Sequence, residues 1–127
     1  MNKDVAWTLV TGGAKRVGAG ICAELVKVGH PVVIHYNTSE NEAFELMQKL
    51  QGSNVAVDII QGDFSSRESV DEFVERYKSR FLRTKNLINN IGNYTVTNLE
   101  ESTPDYAYSI FQTNFFTPFL RAASSKV

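Results

Sequence analysis

Hydrophobic positions along the chain alternate between short continuous runs and longer stretches with helical spacing. Runs suited to buried strands lie at 5–10, 31–36, 55–61 and 86–90, and the first three are rich in Val and Ile. Between and after them, apolar residues recur every three or four positions, which predicts amphipathic helices. Strand and helix therefore alternate along the chain. With right-handed crossovers, this order predicts an α/β fold with a doubly wound parallel sheet, the Rossmann architecture.

Each predicted helix has one apolar stripe that would pack on the sheet. The residues in these stripes are Val17, Ile21, Leu25 and Val28 in the first helix, Phe44, Met47 and Leu50 in the second, Val70, Phe73, Val74, Tyr77 and Phe81 in the third, and Ile110, Phe111, Phe115 and Phe119 in a fourth helix near the end of the sequence.

Capping residues predict where the helices begin and end. Ser39 with Glu42, and Ser65 with Glu68, have the spacing of capping boxes, which places the N-termini of the second and third helices there. Gly29 follows the last apolar position of the first helix, which predicts its C-terminus.

Length and composition indicate a single soluble globular domain over residues 1–127. The formal net charge of −1 gives no reason to expect nucleic acid or a membrane as a partner. A lone Cys22 excludes an internal disulfide and fits a reducing cytoplasm, where we expect the protein to reside. His30 has no cluster of ligating residues around it, so no metal site is predicted, and His35 is interpreted as strand packing or the edge of a ligand site.

The glycine-rich stretch TGGAKRVGAG at 11–20 joins the first strand to the first helix. Doubly wound folds bind dinucleotides at this turn, because glycines let the backbone approach a pyrophosphate and the helix N-terminus supplies N–H donors. The turn is not a P-loop, since no Gly-Lys-Ser/Thr closes it. Without the strand before it and the helix after it, a tight connection would explain the glycines equally well.

The same stretch resembles the Thr-Gly-x-x-x-Gly-x-Gly turn of the short-chain dehydrogenase/reductase family. Thr11, Gly12 and Gly18 match that pattern, and Arg16 stands in place of its middle glycine. Two later segments resemble the family in the same order: GDF at 62–64 and NNIG at 89–92, which has isoleucine where the family has alanine. The resemblance implies that the first segment touches the adenine of a nicotinamide dinucleotide and that the second approaches its nicotinamide ribose.

Arg16 favours NADP(H) over NAD(H) as the cofactor. Where NAD is preferred, an acidic residue after the second strand commonly binds the ribose 2′-hydroxyl, whereas here that strand is followed by neutral side chains at 37–39. An arginine facing neutral polar groups would hold a 2′-phosphate by charge-assisted bonds. The arginine and the pair His35-Tyr36 resemble the pteridine reductases and related NADPH-dependent members. A solvated surface charge is the alternative for Arg16 and the preferred interpretation of Lys15.

The residues predicted to contact the cofactor are Thr11, Gly12, Arg16, Val17 and Gly18 in the turn, Asn37, Thr38 and Ser39 after the second strand, Asp63 and Phe64 after the third, and Asn90, Ile91 and Gly92 after the fourth. Asp63 has a second, compatible interpretation as an acidic residue preceding the third helix.

Asn114 resembles the asparagine of the family's catalytic tetrad. Pro118 removes the helical hydrogen bond to the carbonyl of residue 114, and the freed carbonyl could hold a water of a proton relay or mark only a structural kink. The family's catalytic Tyr-x-x-x-Lys pair does not occur in the 127 residues.

Family members are usually about twice as long, so we expect this chain to be the cofactor-binding half of a longer reductase for a carbonyl or pterin-like substrate. A non-catalytic dinucleotide-binding or dimerisation module is the alternative. The fourth strand and the aromatic last helix would lack their family neighbours, which predicts a homo-oligomer.

Overall fold

The computed structural model describes residues 5–90, which form alternating strands and helices. In chain order these elements are β1 (Trp7–Thr11), α1 (Arg16–Lys27), β2 (Val32–Tyr36), α2 (Glu40–Gln51), β3 (Val57–Gln61), α3 (Arg67–Arg80) and β4 (Thr84–Asn89). Every strand and the first three helices predicted from the sequence are present. The predicted fourth helix lies outside the described residues.

The strands form one parallel sheet in the order β3-β2-β1-β4. From β1 the chain proceeds outward through β2 and β3, and it then crosses back to place β4 on the other side of β1. The strand order therefore reverses between β1 and β4, which makes the carboxyl ends of these two strands the switch point where doubly wound folds bind ligands. The predicted doubly wound parallel sheet is confirmed.

The sheet is covered on both faces by apolar side chains. One cluster joins β1 to α3 and includes Trp7, Leu9, Val70 and Phe73. The second cluster lies under α1 and α2 and includes Val10, Ile34, Cys22, Val26, Ala43 and Leu50. All five residues of β1 are buried, as expected for a central strand with helices on both sides. This buried strand ends at Thr11, directly before the glycine-rich turn.

The predicted apolar stripes of α1 and α2 are partly wrong. Val17 and Val28 are 69% and 67% exposed, and Phe44 is 47% exposed. The buried positions of α1 are Gly18, Cys22 and Val26. The stripe is rotated by about one residue because α1 begins against the backbone of the glycine turn, where a small residue must face inward.

The helix ends also differ from the predicted capping boxes. Ser39 precedes α2 but makes no side-chain capping bond, and its ψ of 54° is outside the extended region that a capping residue usually adopts. The box at the start of α3 lies one residue later than predicted: the Ser66 hydroxyl accepts from the Ser69 N–H, and the Ser69 hydroxyl accepts from the Ser66 N–H. Gly29 follows α1 with a φ of 92°, as its predicted role requires.

Candidate dinucleotide-binding site

The loops that follow the four strands lie at the same edge of the sheet, because parallel strands share the direction of their carboxyl ends. All predicted cofactor residues within residues 5–90 are in these loops or at the adjoining ends of β1 and α1. Ile91, Gly92 and Asn114 lie outside the described residues, so their predicted roles stay predictions.

The glycine turn is folded tightly against the start of α1. Gly12 has a φ of 60°, a left-handed conformation that glycine adopts without steric penalty. A Cβ on Gly18 would collide with the carbonyl oxygen of Gly12 and would lie 2.7 Å from Asn90 Nδ2. A Cβ on Gly13 would lie 3.0 Å from the carbonyl oxygen of Val10. The spacing of these glycines therefore has a steric cause in this chain.

Asn90 connects β4 to the glycine turn across the switch point. Its backbone N–H donates to Thr11 Oγ1 at 3.0 Å, and its side-chain Nδ2 donates to the Gly12 carbonyl at 3.2 Å. Thr11 Oγ1 in turn donates to Asn89 Oδ1 at 3.1 Å. Thr11, Gly12 and Asn90, all predicted from the sequence to lie at the cofactor, are thus bonded to one another. The Asn90 amide braces the turn, while its predicted contact with the nicotinamide ribose stays a prediction.

Arg16 is the first residue of α1 and has a φ of 53°. This left-handed conformation is uncommon for a residue with a side chain. Arg16 is exposed on the same edge of the sheet as the loop after β2. Next to it, Lys15 Nζ lies 3.9 Å from Glu42 Oε2, and both side chains are about half exposed. Among the ion pairs of residues 5–90 none involves Arg16.

The loop from β2 to α2 contains the neutral polar residues at 37–39. Asn37 accepts two hydrogen bonds of 3.3 Å from Gln61 Nε2, one through its backbone carbonyl and one through its side-chain oxygen. Thr38 is exposed. Among the described residues, the Ser39 side chain makes no capping hydrogen bond to the first N–H groups of α2.

In the loop after β3, Asp63 is exposed whereas Phe64 is buried. Asp63 is exposed and binds the backbone N–H and hydroxyl of Ser65 at 2.9 and 3.0 Å, which shapes the entry to α3. Phe64 is 3% exposed, and its ring packs in the core. Its predicted contact with adenine stays a prediction.

The ionisable groups below the site stay neutral at ordinary pH. Burial raises the pKa of the Cys22 thiol to about 12, and this sulfur lies 3.7 Å from the Gly13 carbonyl oxygen. Burial also raises the pKa of the Tyr36 phenol at the end of β2, and the carboxylate of Glu40 raises it further. Neither group is poised for acid–base chemistry. Within residues 5–90 no three His, Cys, Asp or Glu side chains are grouped as a metal site, and none of the helices described there is long and apolar enough to cross a membrane.

The role of His35 is only partly predicted by the sequence. Strand packing and the edge of a ligand site are the expected roles, but the imidazole binds the glycine turn on one side and the loop after β3 on the other. The sequence signal is a histidine in a strand that is otherwise aliphatic up to Tyr36, which indicates a buried polar group that needs partners.

A parallel sheet with a braced glycine turn at its switch point defines a dinucleotide-binding protein of the Rossmann type. The profile of the short chain dehydrogenase family matches residues 6–125. The chain therefore belongs to the short chain dehydrogenases.

Individual relatives agree with this assignment. Hydroxynaphthalene reductase arp2 of Aspergillus fumigatus is 30% identical over 84% of this chain and 39% of its own length. Among solved structures, a blue fluorescent protein from a metagenomic library in complex with NADPH has a TM-score of 0.85 at 26% identity, covering 99% of this chain and 52% of its own. FolM alternative dihydrofolate reductase 1 from Brucella canis, complexed with NADP, has a TM-score of 0.86 at 26% identity, covering 95% and 49%. The chain thus spans about half the length, or less, of these proteins.

Proposed function

We propose that this chain forms the NADP(H)-binding part of a short-chain oxidoreductase that transfers hydride between NADPH and a carbonyl or pterin-like substrate. The observation that carries the proposal is the glycine turn, held in place by Gly18 and Asn90 at the point where the strand order reverses. When bound, the dinucleotide supplies the hydride, and the residues described above bind and orient it.

The turn and α1 provide the features that a pyrophosphate needs. Gly12 has a positive φ, and a Cβ on Gly13 would lie 3.0 Å from the Val10 carbonyl oxygen, so larger residues in this loop would be strained or crowded. The N-terminus of α1 follows directly, and it has no acidic residue in its first turn to repel an anion. The N–H groups of that first turn and the helix dipole therefore favour a negatively charged group at this position.

Preference for NADP(H) rests on Arg16 and on the neutral loop after β2. Arg16 is exposed at the same sheet edge as residues 37–39, where a carboxylate would be expected in an NAD-specific site. Lys15 is close enough to Glu42 to offset the charge of that nearby carboxylate. The complexes of the metagenomic blue fluorescent protein with NADPH and of FolM with NADP support the same preference by similarity.

The proposed substrate class rests on the relatives and on the resemblance of Arg16 and the pair His35-Tyr36 to the pteridine reductases. One relative is by name a hydroxynaphthalene reductase and another an alternative dihydrofolate reductase, so the proposal includes both carbonyl and pterin-like compounds. Asn114 is proposed as a relay residue of that activity. A cytoplasmic location and a homo-oligomeric assembly belong to the same proposal. The non-catalytic alternative rests on the lack of a Tyr-x-x-x-Lys pair in the 127 residues.

Cofactor selectivity tests the proposal directly. We expect the full chain to bind NADPH more tightly than NADH, measured by cofactor fluorescence or calorimetry. Arg16→Ala should weaken NADPH binding by roughly 10- to 100-fold, since it removes charge-assisted bonds, and should change NADH binding by less than about 3-fold. Lys15→Ala is the matched control, because it removes a neighbouring cation that already has a partner, and it should have little effect on either cofactor. Equal losses for the two cofactors in Arg16→Ala would contradict the 2′-phosphate assignment.

Turnover separates the oxidoreductase from its alternative. The longer reductase proposed to contain this chain should oxidise NADPH in the presence of some member of a panel of ketones, quinone-like aromatics and pterins, whereas residues 1–127 alone should bind NADPH without turnover. NADPH binding by that longer protein with no turnover on the whole panel would instead favour a non-catalytic module.

A further inference from the structure

His35 is completely buried in the middle of the parallel sheet. It lies in β2, has an exposed fraction of 0%, and is one of the largest fully buried side chains. A histidine in such a place needs a hydrogen-bond partner for each polar nitrogen, because an unpaired polar group away from water is costly.

Both ring nitrogens of His35 reach backbone groups of cofactor loops. Nδ1 lies 3.0 Å from the Gly12 backbone nitrogen, and Nε2 lies 2.8 Å from the Gly62 carbonyl oxygen. The Gly12 N–H can only donate and the Gly62 carbonyl can only accept. The imidazole is therefore neutral, with its proton on Nε2 and a lone pair on Nδ1.

Backbone hydrogen bonds of β2 also join the glycine turn and the loop after β3 to this strand. The His35 carbonyl accepts from the Gly13 N–H at 2.9 Å, and the Tyr36 carbonyl accepts from the Gly62 N–H at 2.9 Å. Two successive amides of the glycine turn thus donate to one residue, first to its ring and then to its carbonyl. The ring also bridges two loops that are far apart in the sequence.

Aromatic packing fixes the orientation of the imidazole. The Phe64 ring stacks on it with centroids 4.3 Å apart and planes at 11°, and the Phe73 ring meets it edge-on at 5.6 Å. A Cβ on Gly62 would collide with the Phe73 ring, so a residue with a side chain does not fit at position 62. The loop after β3 is therefore held against His35 by packing as well as by hydrogen bonding.

We infer that His35 is a positioning residue for the dinucleotide. It sets the glycine turn, which would hold the pyrophosphate, at a fixed distance from the loop of Asp63 and Phe64, which would hold the adenine end. The inference rests on the proposed function, and it adds that the two halves of the cofactor site are aligned through one buried, neutral imidazole. His35 itself is covered by Phe64 and the backbone and is not a catalytic residue.

Three variants separate positioning from core packing. In His35→Asn the side-chain amide oxygen would take the place of Nδ1, so this variant keeps the acceptor for Gly12 but loses the ring. His35→Phe keeps a ring against Phe64 but leaves the Gly12 N–H without its acceptor. His35→Gln retains a donor near the Gly62 carbonyl only. If His35 positions the turn, His35→Phe should bind NADPH roughly 10- to 100-fold more weakly than wild type, whereas His35→Asn should lose less than about 5-fold. His35→Gln should resemble His35→Phe.

The stability of the same variants provides the contrast. Urea unfolding should show His35→Asn to be no more stable than His35→Phe, because it has lost both ring contacts. NADPH affinity and stability would then rank the two variants in different orders, which packing alone does not produce. An affinity that simply follows stability through the series would overturn the inference.

A measurement on the wild-type chain keeps the test independent of how the variants fold. Nitrogen chemical shifts of the His35 ring should show a neutral imidazole protonated at Nε2, with the Gly12 amide protected from hydrogen exchange. A proton on Nδ1 would overturn the inference, since Gly12 could not then donate to it. Absence of NADPH binding in wild type would overturn the proposed function and this inference with it. NADPH binding that His35→Phe retains in full would overturn only the role of His35.

Discussion

Replacing Arg16 by glycine should make the fold more stable while making the cofactor site less selective. Arg16 begins α1 with a φ of 53°. In this left-handed region the Cβ of an L-residue is too close to neighbouring backbone, which costs about 1–2 kcal/mol. Glycine has no Cβ and avoids that cost, but it loses about 0.5–1 kcal/mol more conformational entropy on folding. We therefore expect a net gain in the free energy of unfolding of about 0.5–1 kcal/mol.

The comparison with Arg16→Ala isolates the backbone contribution. Alanine removes the guanidinium as glycine does, but it keeps the Cβ and therefore the strain. Urea unfolding should show Arg16→Gly to be more stable than Arg16→Ala by about 0.5–1 kcal/mol, which is roughly a 2- to 5-fold difference in the ratio of folded to unfolded protein. Both variants should lose preference for NADPH over NADH to the same degree, because both lack the charged side chain.

Two results would refute this reasoning. Equal stabilities of the glycine and alanine variants would show that residue 16 does not carry backbone strain. A glycine variant that loses NADPH selectivity while the alanine variant keeps it would mean that backbone conformation, rather than the guanidinium, determines cofactor preference.

Other predictions concern steric fit and alkaline pH. Gly18→Ala should abolish NADPH binding and lower the free energy of unfolding by about 1–3 kcal/mol, because its Cβ would collide with the Gly12 carbonyl oxygen. Gly20→Ala is the control in the same helix: its Cβ would meet nothing within 4 Å, so it should retain NADPH binding and gain about 0.5–1 kcal/mol. Burial raises the pKa of Cys22 from 9.0 to about 12 and that of Tyr77 from 10.0 to about 12. Both groups bind protons more tightly in the folded state than in the unfolded state. Their contribution to the free energy of unfolding is therefore complete below pH 9 and is lost as the pH rises towards 12. Unfolding by urea between about pH 8 and pH 11 should show this decline, and an unchanged stability would contradict it.

The strands could be predicted from the sequence because their signal is local. A run of Val and Ile bounded by turn residues indicates a buried strand wherever the strand pairs, and β2 (Val32–Tyr36) and β3 (Val57–Gln61) lie inside their predicted ranges. The strand order β3-β2-β1-β4 could not be predicted in the same way, because the right-handed crossover rule determines the face of the sheet on which each helix lies and not which strands are neighbours.

The helix faces could be predicted less well because they depend on what each helix meets. The periodicity of apolar residues predicts that Val17 and Phe44 are buried in the core, yet both are exposed. At α1 the glycine turn requires Gly18 to face inward, and the orientation of the rest of the helix follows from that contact. At α2 the small Ala43 is the fully buried residue, because this helix approaches the sheet closely.

Sequence resemblance indicates the residues of the site, but not the contacts among them. Gly12, Gly18 and Asn90 are each expected near the cofactor, while their contacts with one another depend on β4 pairing beside β1. The two hydrogen bonds of the His35 ring are even harder to predict from the sequence, because they join the loops after β1 and β3 across β2. Only the sheet order makes those two loops neighbours of one imidazole.

Backbone strain gives an independent reason to assign a function to Arg16. In residues 5–90, positive φ values occur at Gly12, Gly29, Asn54 and Arg16. Three of these positions have glycine or asparagine, the residues that tolerate such a conformation, and only Arg16 does not. A strained residue persists when its side chain contributes something that an unstrained replacement would lose. Glycine at this position would relieve the strain but would remove the charge that is proposed to bind the 2′-phosphate. The strain at Arg16 therefore agrees with the proposed contact between Arg16 and the 2′-phosphate, and the Arg16→Gly variant measures the change in stability and the change in NADPH selectivity together.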